Sequence, residues 1–327
     1  SEAFWRPVAH QLYYRALGPL ILTHPRWVAA LHVALLALSA VLIYRTVRSF
    51  WSGPQAAAAA SFAVLAESTR TVISWPGHVV ELGSLLFAAA ALHEASRRRM
   101  ATCLAALLLA LLCKELAVVA ALLIPFMPDA RAAREDGMRG AGDAGMRRAG
   151  EAGVRNAGAA WAPTNLSSRL RWGLATAGVT GAWALTYLWV RRTAGLALPH
   201  GLESDAATLA VPFVSRFAWA VWNSLRAVVS LPATTGPRDL ALGAAAALPV
   251  LMSVLMVATR PTARARFRRA LPWIAWGAAW FTLSCAALTT IFPIWAPNRV
   301  LFGSVGLGLS LAALLAAAHP ILPWMLV

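Results

Sequence analysis

Apolar residues run along this chain in blocks of helical length, and clusters of arginine punctuate them. Trp27 to Tyr44 forms the first clear block, with Arg45 and Arg48 directly after it. Gln55 to Ala66, Val79 to Ala95, Met100 to Phe126, Trp172 to Val190, Leu240 to Ala258, Ala270 to Thr290 and Val300 to Ala318 follow. No block shows the alternation of a strand, and in lipid a chain without closed strands satisfies its backbone only as helices. A bilayer core ~30 Å thick takes roughly 20 residues per crossing, so the pattern predicts an all-α polytopic membrane helix bundle of about 8–9 segments.

One block is too long for a single straight crossing. Met100 to Phe126 is interrupted only by Lys114-Glu115, and Lys114 is the sole lysine in the chain. The economical reading is two short helices meeting at one membrane face, with the charged pair at the joint. Charges at membrane depth are costly and by default mark a substrate or ion pathway. The plain alternative is a pair of interfacial residues closing a tight turn.

The positive-inside rule orients the rest. Arg45 and Arg48, Arg97-Arg98-Arg99, the arginine-rich loop 128–171 and the run Arg260 to Arg269 all read as cytoplasmic. Segments 1–26, 67–78, 114–115, 191–239 and 291–299 are then external. Arg191-Arg192 disagrees: either the two bind something anionic outside, or the helix count in that half is off by one. Three domains follow: 1–127, an N-terminal transmembrane region; 128–171, a low-complexity cytoplasmic loop; and 172–327, a C-terminal transmembrane region with an external amphipathic segment at 209–232. That segment places aromatics among a few cations, which suits a membrane-surface anchor or a helix touching substrate. The loop carries three octapeptide copies beginning at Glu135, Asp143 and Glu151, short enough to be a duplicated linker rather than a folded array. It also contains the sequon Asn165-Leu166-Ser167, which carries no meaning on a cytoplasmic loop.

Composition agrees with the class. Hydrophobic residues make up 59% of the chain, charged residues 13%, and the mean hydropathy is +0.63. The net charge of +16 would suggest nucleic acid, but the arginines sit between hydrophobic blocks, where topology explains them. Cys103, Cys113 and Cys285 fall inside apolar blocks, giving neither a disulfide framework nor a metal-site spacing. The opening residues lack the cationic and apolar regions of a signal peptide. Both ends read as cuts, so the sequence is expected to be a piece of a longer chain.

With this orientation the unusual polar residues gather on the external side. They are Arg6, His10, Arg15, Glu67, Arg70, Trp75, His78, Glu81, Lys114, Glu115, Asn298 and Arg299. Cations of this kind neutralise a phosphate, a carboxylate can take a proton from a hydroxyl, and a tryptophan beside polar groups can stack on a sugar. Taken singly, each has a structural explanation: Arg and Trp anchor at interfaces, and Glu81 reads as a cap on its helix.

The ordered set resembles a known family. Phe4-Trp5-Arg6-Pro7, then Trp27, then Leu31-His32 opening a helix that ends Tyr44-Arg45, is similar to the start of a bacterial GT-C membrane glycosyltransferase. The branch it resembles includes the protein O-mannosyltransferase-like and transmembrane-TPR O-mannosyltransferases. Ala56–Ala66, Trp75 and Glu81 match that family's next block. Cys113-Lys114-Glu115 with Pro125 matches its Ser-Lys-Glu signature, and Arg299 leading into Gly303, Gly306 and Gly308 matches its late Arg and Gly-rich helix. The resemblance implies transfer of a hexose such as mannose from a polyprenyl-phosphate carrier to a protein or glycan acceptor. The active face would be the periplasmic side of a bacterial inner membrane. It implies that Arg6, Lys114 and Arg299 hold the phosphate beside Glu115, that Arg70 assists, and that Trp75 and His78 shape the sugar site. It implies inverting chemistry with no metal and no tightly bound cofactor, the lipid-linked sugar being the donor. In the family the acidic catalytic motif lies ahead of Arg-Pro, so the base is expected upstream of Ser1; Glu2 and Glu81 are the carboxylates left here. The alternative is a non-catalytic protein that binds the lipid carrier or assists assembly on the same fold. A transporter would call for repeated halves with broken helices, and the sequence has one broken segment.

Overall fold

The computed structural model describes residues 5–65, 67–128, 166–195, 210–229, 231, 237–292 and 295–326. The octapeptide repeats, Asn165 and Glu2 lie outside the described residues, as does much of the 191–239 segment. All regular structure among the described residues is helical. A π-helical turn at Pro7–Leu12 leads into α1 (Tyr13–Thr23), and α2 (Pro25–Val47) follows. Next come α3 (Gly53–Leu65), α4 (Glu67–Ser74), α5 (Val79–Ser96), α6 (Met100–Cys113) and the short α7 (Val118–Leu123). The second half holds α8 (Leu166–Thr193), α9 (Phe213–Val228), α10 (Pro237–Thr259), α11 (Pro261–Leu288) and α12 (Leu301–Ala318).

Among the described residues, four helical stretches are long and apolar enough to cross a membrane: Pro25–Val47, Pro76–Ser96, Pro261–Ile291 and Pro297–Ala318. Met100–Cys113, Glu115–Phe126 and Gly243–Thr259 are apolar but shorter. The expected count of eight or nine therefore reduces to four helices that meet both requirements. The 28-residue α8 is not one of them: arginines occupy both of its ends, and Thr176, Thr180 and Thr186 interrupt its middle.

Helices α5 and α12 run through the centre and are the most enclosed of the four, with α2, α3, α6 and α11 around them. Small residues make that packing possible. A Cβ placed on Gly277 of α11 would lie 2.5 Å from the Gly306 carbonyl oxygen, and one on Gly306 of α12 would lie 2.5 Å from that of Gly277. The two backbones touch, as they must where lipid supplies no hydrophobic drive between helices and close packing has to do so instead. Buried indoles take up carbonyls along the same seam. Trp280 Nε1–H donates to the Phe302 carbonyl at 2.8 Å. Trp276 Nε1–H donates at 2.9 Å to the carbonyl of Leu123, the last residue of α7.

Two expectations change here. The arginine run after Arg260 was read as a loop, but Arg264, Arg266, Arg268 and Arg269 occupy the first turns of α11. Arginine is a good helix former, so a charged run need not end a helix. Arg266 uses this position to donate to the carbonyls of Ala317 and Ala318, capping the C-terminus of α12. The amphipathic segment 209–232 does contain a helix, α9. It is not merely laid on a surface, for it packs against α11, α4 and the turn Pro297–Val300.

Candidate functional site

The polar residues singled out in the sequence meet at one end of the bundle, and the local chain geometry explains how. The helical run that begins at Met100 stops at Cys113 because Lys114 adopts an extended backbone, φ −160° and ψ 141°. A 3₁₀ turn at Glu115–Ala117 then restarts it into α7. The break turns the two charged side chains of the joint into the bundle instead of leaving them stacked on a continuous helix. Helix α6 lies close against α5 here, with the Cys113 Sγ 2.8 Å from where a Cβ on Gly83 would stand.

Across that contact Lys114 Nζ–H donates to Glu81 Oε1 at 2.7 Å, and both side chains are largely buried. Glu81 lies in the first turn of α5, where the positive end of the helix dipole also favours a carboxylate. Its part in capping that helix is slight: the carboxylate reaches only its own backbone N–H, and the N-cap residue His78 makes no side-chain bond. Instead Oε1 takes a second donor, Asn298 Nδ2–H at 3.1 Å, from the 3₁₀ turn Pro297–Val300 that opens α12. The neighbouring Arg299 is half-buried and feels the charges of Glu81 and Arg6.

Arg6 completes the group from the other direction. It precedes the π turn at Pro7–Leu12 and donates to both oxygens of Glu115, Nε at 3.3 Å and Nη2 at 2.9 Å. This is the two-pronged pairing for which a guanidinium is shaped. Adjacent residues of the α6–α7 joint are thus tied to opposite sides of the site: Lys114 to α5 and Glu115 to the N-terminal turn. Three cations (Arg6, Lys114, Arg299) stand against two carboxylates (Glu81, Glu115), so the cluster keeps an excess of positive charge. The N-termini of α5 and α12 open onto it and add their own positive ends.

His10, on the π turn, is held neutral. Its pKa lies below the usual 6.5, chiefly because it is half-buried and next because Arg6 is near. Tyr13 is pushed up to about 12 by burial, with Tyr14 adding to it. Its hydroxyl is 2.9 Å from Nε2 of the fully buried His32 in α2, while Nδ1 of the same ring is 3.2 Å from the carbonyl of Val72 in α4. A carbonyl only accepts, so Nδ1 carries the hydrogen and Tyr13 donates to Nε2. This relay pins α4 onto α1 and α2.

Three more of the sequence candidates, Arg70, Trp75 and His78, lie at the rim. Arg70 is on the exposed face of α4, and Trp75 is 64% exposed just beyond it. His78 Nδ1–H donates to the Thr71 carbonyl at 3.1 Å, which fixes the ring at the mouth of α5. Arg6, His10, Glu81, Lys114, Glu115, Asn298 and Arg299 are brought together; Glu2 is outside the described residues. Sequence reasoning gave Asn298 no role and left Arg191-Arg192 as a conflict with orientation. Tyr187 of α8 interacts electrostatically with Glu115, Arg191 and Arg6, which brings that end of α8 to the same cluster.

Among the described residues no group of three or more His, Cys, Asp or Glu side chains could hold a metal ion. Compared with known proteins, the chain matches no family model, no curated protein and no solved structure.

Proposed function

We propose that this chain is a membrane glycosyltransferase of GT-C type, which moves a hexose such as mannose from a polyprenyl-phosphate carrier to an acceptor at the end of the bundle where the charged cluster lies. The observation that carries this reading is the cluster itself. Arg6, Glu81, Lys114-Glu115 and Asn298-Arg299 come from distant parts of the chain and gather in an otherwise apolar bundle, Lys114 and Asn298 bonded to the buried Glu81 and Arg6 to the partly exposed Glu115. Buried ion pairs contribute little to stability beyond what apolar side chains of the same volume would give, so their presence in an apolar bundle speaks for a ligand.

In this reading the carrier phosphate binds among Arg299, Arg6 and Lys114, with α5 and α12 presenting their N-termini to it. The acceptor oxygen attacks the anomeric carbon, the bond from that carbon to the phosphate oxygen breaks, and the carrier phosphate leaves with the bonding pair. Arg299 and Arg6 offset the charge that develops on that oxygen. The acceptor proton goes to a carboxylate, which the resemblance puts at or before Glu2. Trp75 offers an exposed ring for the sugar, with His78 held beside it. Four long apolar helices, completed by α3, α6, α7, the more polar α8 and α10, make up the eight or nine segments, in a bacterial inner membrane with this end periplasmic.

One observation favours the non-catalytic alternative, a protein that binds the lipid carrier without transfer. Both described carboxylates of the cluster are already ion-paired, Glu81 to Lys114 and Glu115 to Arg6. A transfer assay decides between the two. Reconstituted protein is given a radiolabelled polyprenyl-phosphate hexose and membranes as the acceptor source, beside the Lys114→Met variant. Label reaching acceptor with the wild type and not with the variant supports the enzyme. Binding of carrier without any transfer supports the alternative.

A further inference from the structure

Glu81 uses only one of its two carboxylate oxygens. Oε1 accepts from Lys114 and Asn298, whereas Oε2 is buried and accepts a hydrogen bond from no other residue among those described, the carboxylate's one further contact being with its own backbone N–H. The side chain is nine-tenths buried, so water does not solvate this oxygen from outside. A buried acceptor on a charged group is costly to leave unmade. The two neighbouring donors, Lys114 Nζ and Asn298 Nδ2, both bond to Oε1 and not to Oε2. A phosphate oxygen cannot supply it either, since it brings negative charge and no hydrogen. An uncharged hydroxyl meets the requirement: it donates one hydrogen bond to an anionic acceptor and adds no charge.

The surroundings point the same way. Six residues earlier Trp75 exposes its ring at the rim, and His78, which interacts electrostatically with Glu81, is anchored by the Thr71 carbonyl between them. A polyol ring resting on the indole would turn its hydroxyl edge toward the first turn of α5.

Resting on the carrier-sugar reading above, we propose that Glu81 Oε2 accepts a hydrogen bond from a hydroxyl of the bound sugar. Glu81 is then the residue by which the protein tells a glycosylated carrier from the bare carrier phosphate. Lys114 and Asn298 are positioning residues that hold Oε1 and leave Oε2 for the ligand.

The test compares two lipids on the full chain in lipid nanodiscs: a polyprenyl monophosphate and the same lipid bearing a hexose. Their dissociation constants are measured for the wild type and for Glu81→Gln. The wild type is expected to favour the glycosylated lipid by about tenfold or more, the worth of one hydrogen bond to a charged group. In Glu81→Gln that preference should fall to within about threefold, while the bare carrier still binds. Should Glu81→Gln fail to fold, the wild type is measured with lipids whose hexose lacks one hydroxyl at a time, and one of these deoxy lipids should lose the preference. A wild type that binds both lipids equally, as it would if Oε2 held only a buried water, overturns the assignment but leaves the carrier-binding reading standing. So does a preference retained in a folded variant. A wild type that binds neither lipid overturns the functional reading and this assignment with it.

Discussion

Lys114 and Glu81 are the pair on which the site depends, and they are also where a single substitution should cost most. Removing one member of a largely buried ion pair leaves the other charged and unmatched, a loss of about 3–5 kcal/mol in comparable cases. Lys114→Met should therefore lower the thermal midpoint strongly. Adding Glu81→Leu should restore most of the loss, because no orphan charge then remains. A single variant as stable as wild type would mean the pair is not buried as described. The Tyr13–His32–Val72 relay makes a smaller claim. His32→Phe keeps the ring volume but orphans the Tyr13 hydroxyl and the Val72 carbonyl, at about 1–3 kcal/mol. Limited proteolysis should then cut in or beside α4 sooner than in wild type. His10 adds a pH dependence of definite sign. Its pKa is lowered in the folded protein, so between that value and 6.5 the unfolded chain binds more protons than the folded one. This contribution is complete above 6.5 and is lost as pH falls through the folded value. The thermal midpoint should drop on going from about pH 7.5 to about pH 5, and drop less in His10→Gln. Equal slopes would remove His10 as the cause.

At the scale of elements, the seam between α11 and α12 is the most constrained contact in the bundle. Gly306→Ala would force a methyl group against the Gly277 carbonyl and the Trp280 Cβ, 2.5 and 2.6 Å away. Overpacking of this kind costs typically about 1–3 kcal/mol, and the gap can open only by moving a helix. The variant should unfold at lower temperature than wild type, whereas Gly178→Ala on α8, where a Cβ meets nothing within 4 Å, should not. Helix positions were largely legible from the apolar blocks: Trp27 to Tyr44 lies inside α2, and Val79 to Ala95 inside α5. The break at Lys114-Glu115 was legible too, since two charges cannot sit unanswered in a continuous apolar helix. The extent of α11 was not. The arginines at its start satisfy the positive-inside rule equally well in a loop or in a helix, and only the bonds from Arg266 to the end of α12 show which holds.

For the molecule as a whole, hydropathy and arginine placement led to the convergence of the polar residues, because both are local properties summed along the chain. The pairings within that convergence were not legible. Whether Lys114 meets Glu81 or Arg6 meets Glu115 depends on how α5, α6 and the N-terminal turn pack, and nothing in the spacing of 33 and 109 residues encodes it. The same holds for Asn298, whose importance lies entirely in the oxygen it reaches. Helix directions put the cluster at one end and the arginines of 97–99 and 260–269 at the other, so the account requires an anionic lipid carrier to bind at the first end alone. The most direct measurement is photo-crosslinking of reconstituted protein with a polyprenyl phosphate bearing a diazirine close to its phosphate, followed by peptide mapping. The account expects labelled peptides from the regions of Arg6, Trp75 to Glu81, Lys114-Glu115 and Asn298-Arg299, with labelling suppressed by excess unmodified carrier. Labelling centred on Arg97–Arg99 or Arg260–Arg269, or spread evenly along the lipid-facing helices and not suppressed by competitor, would contradict it.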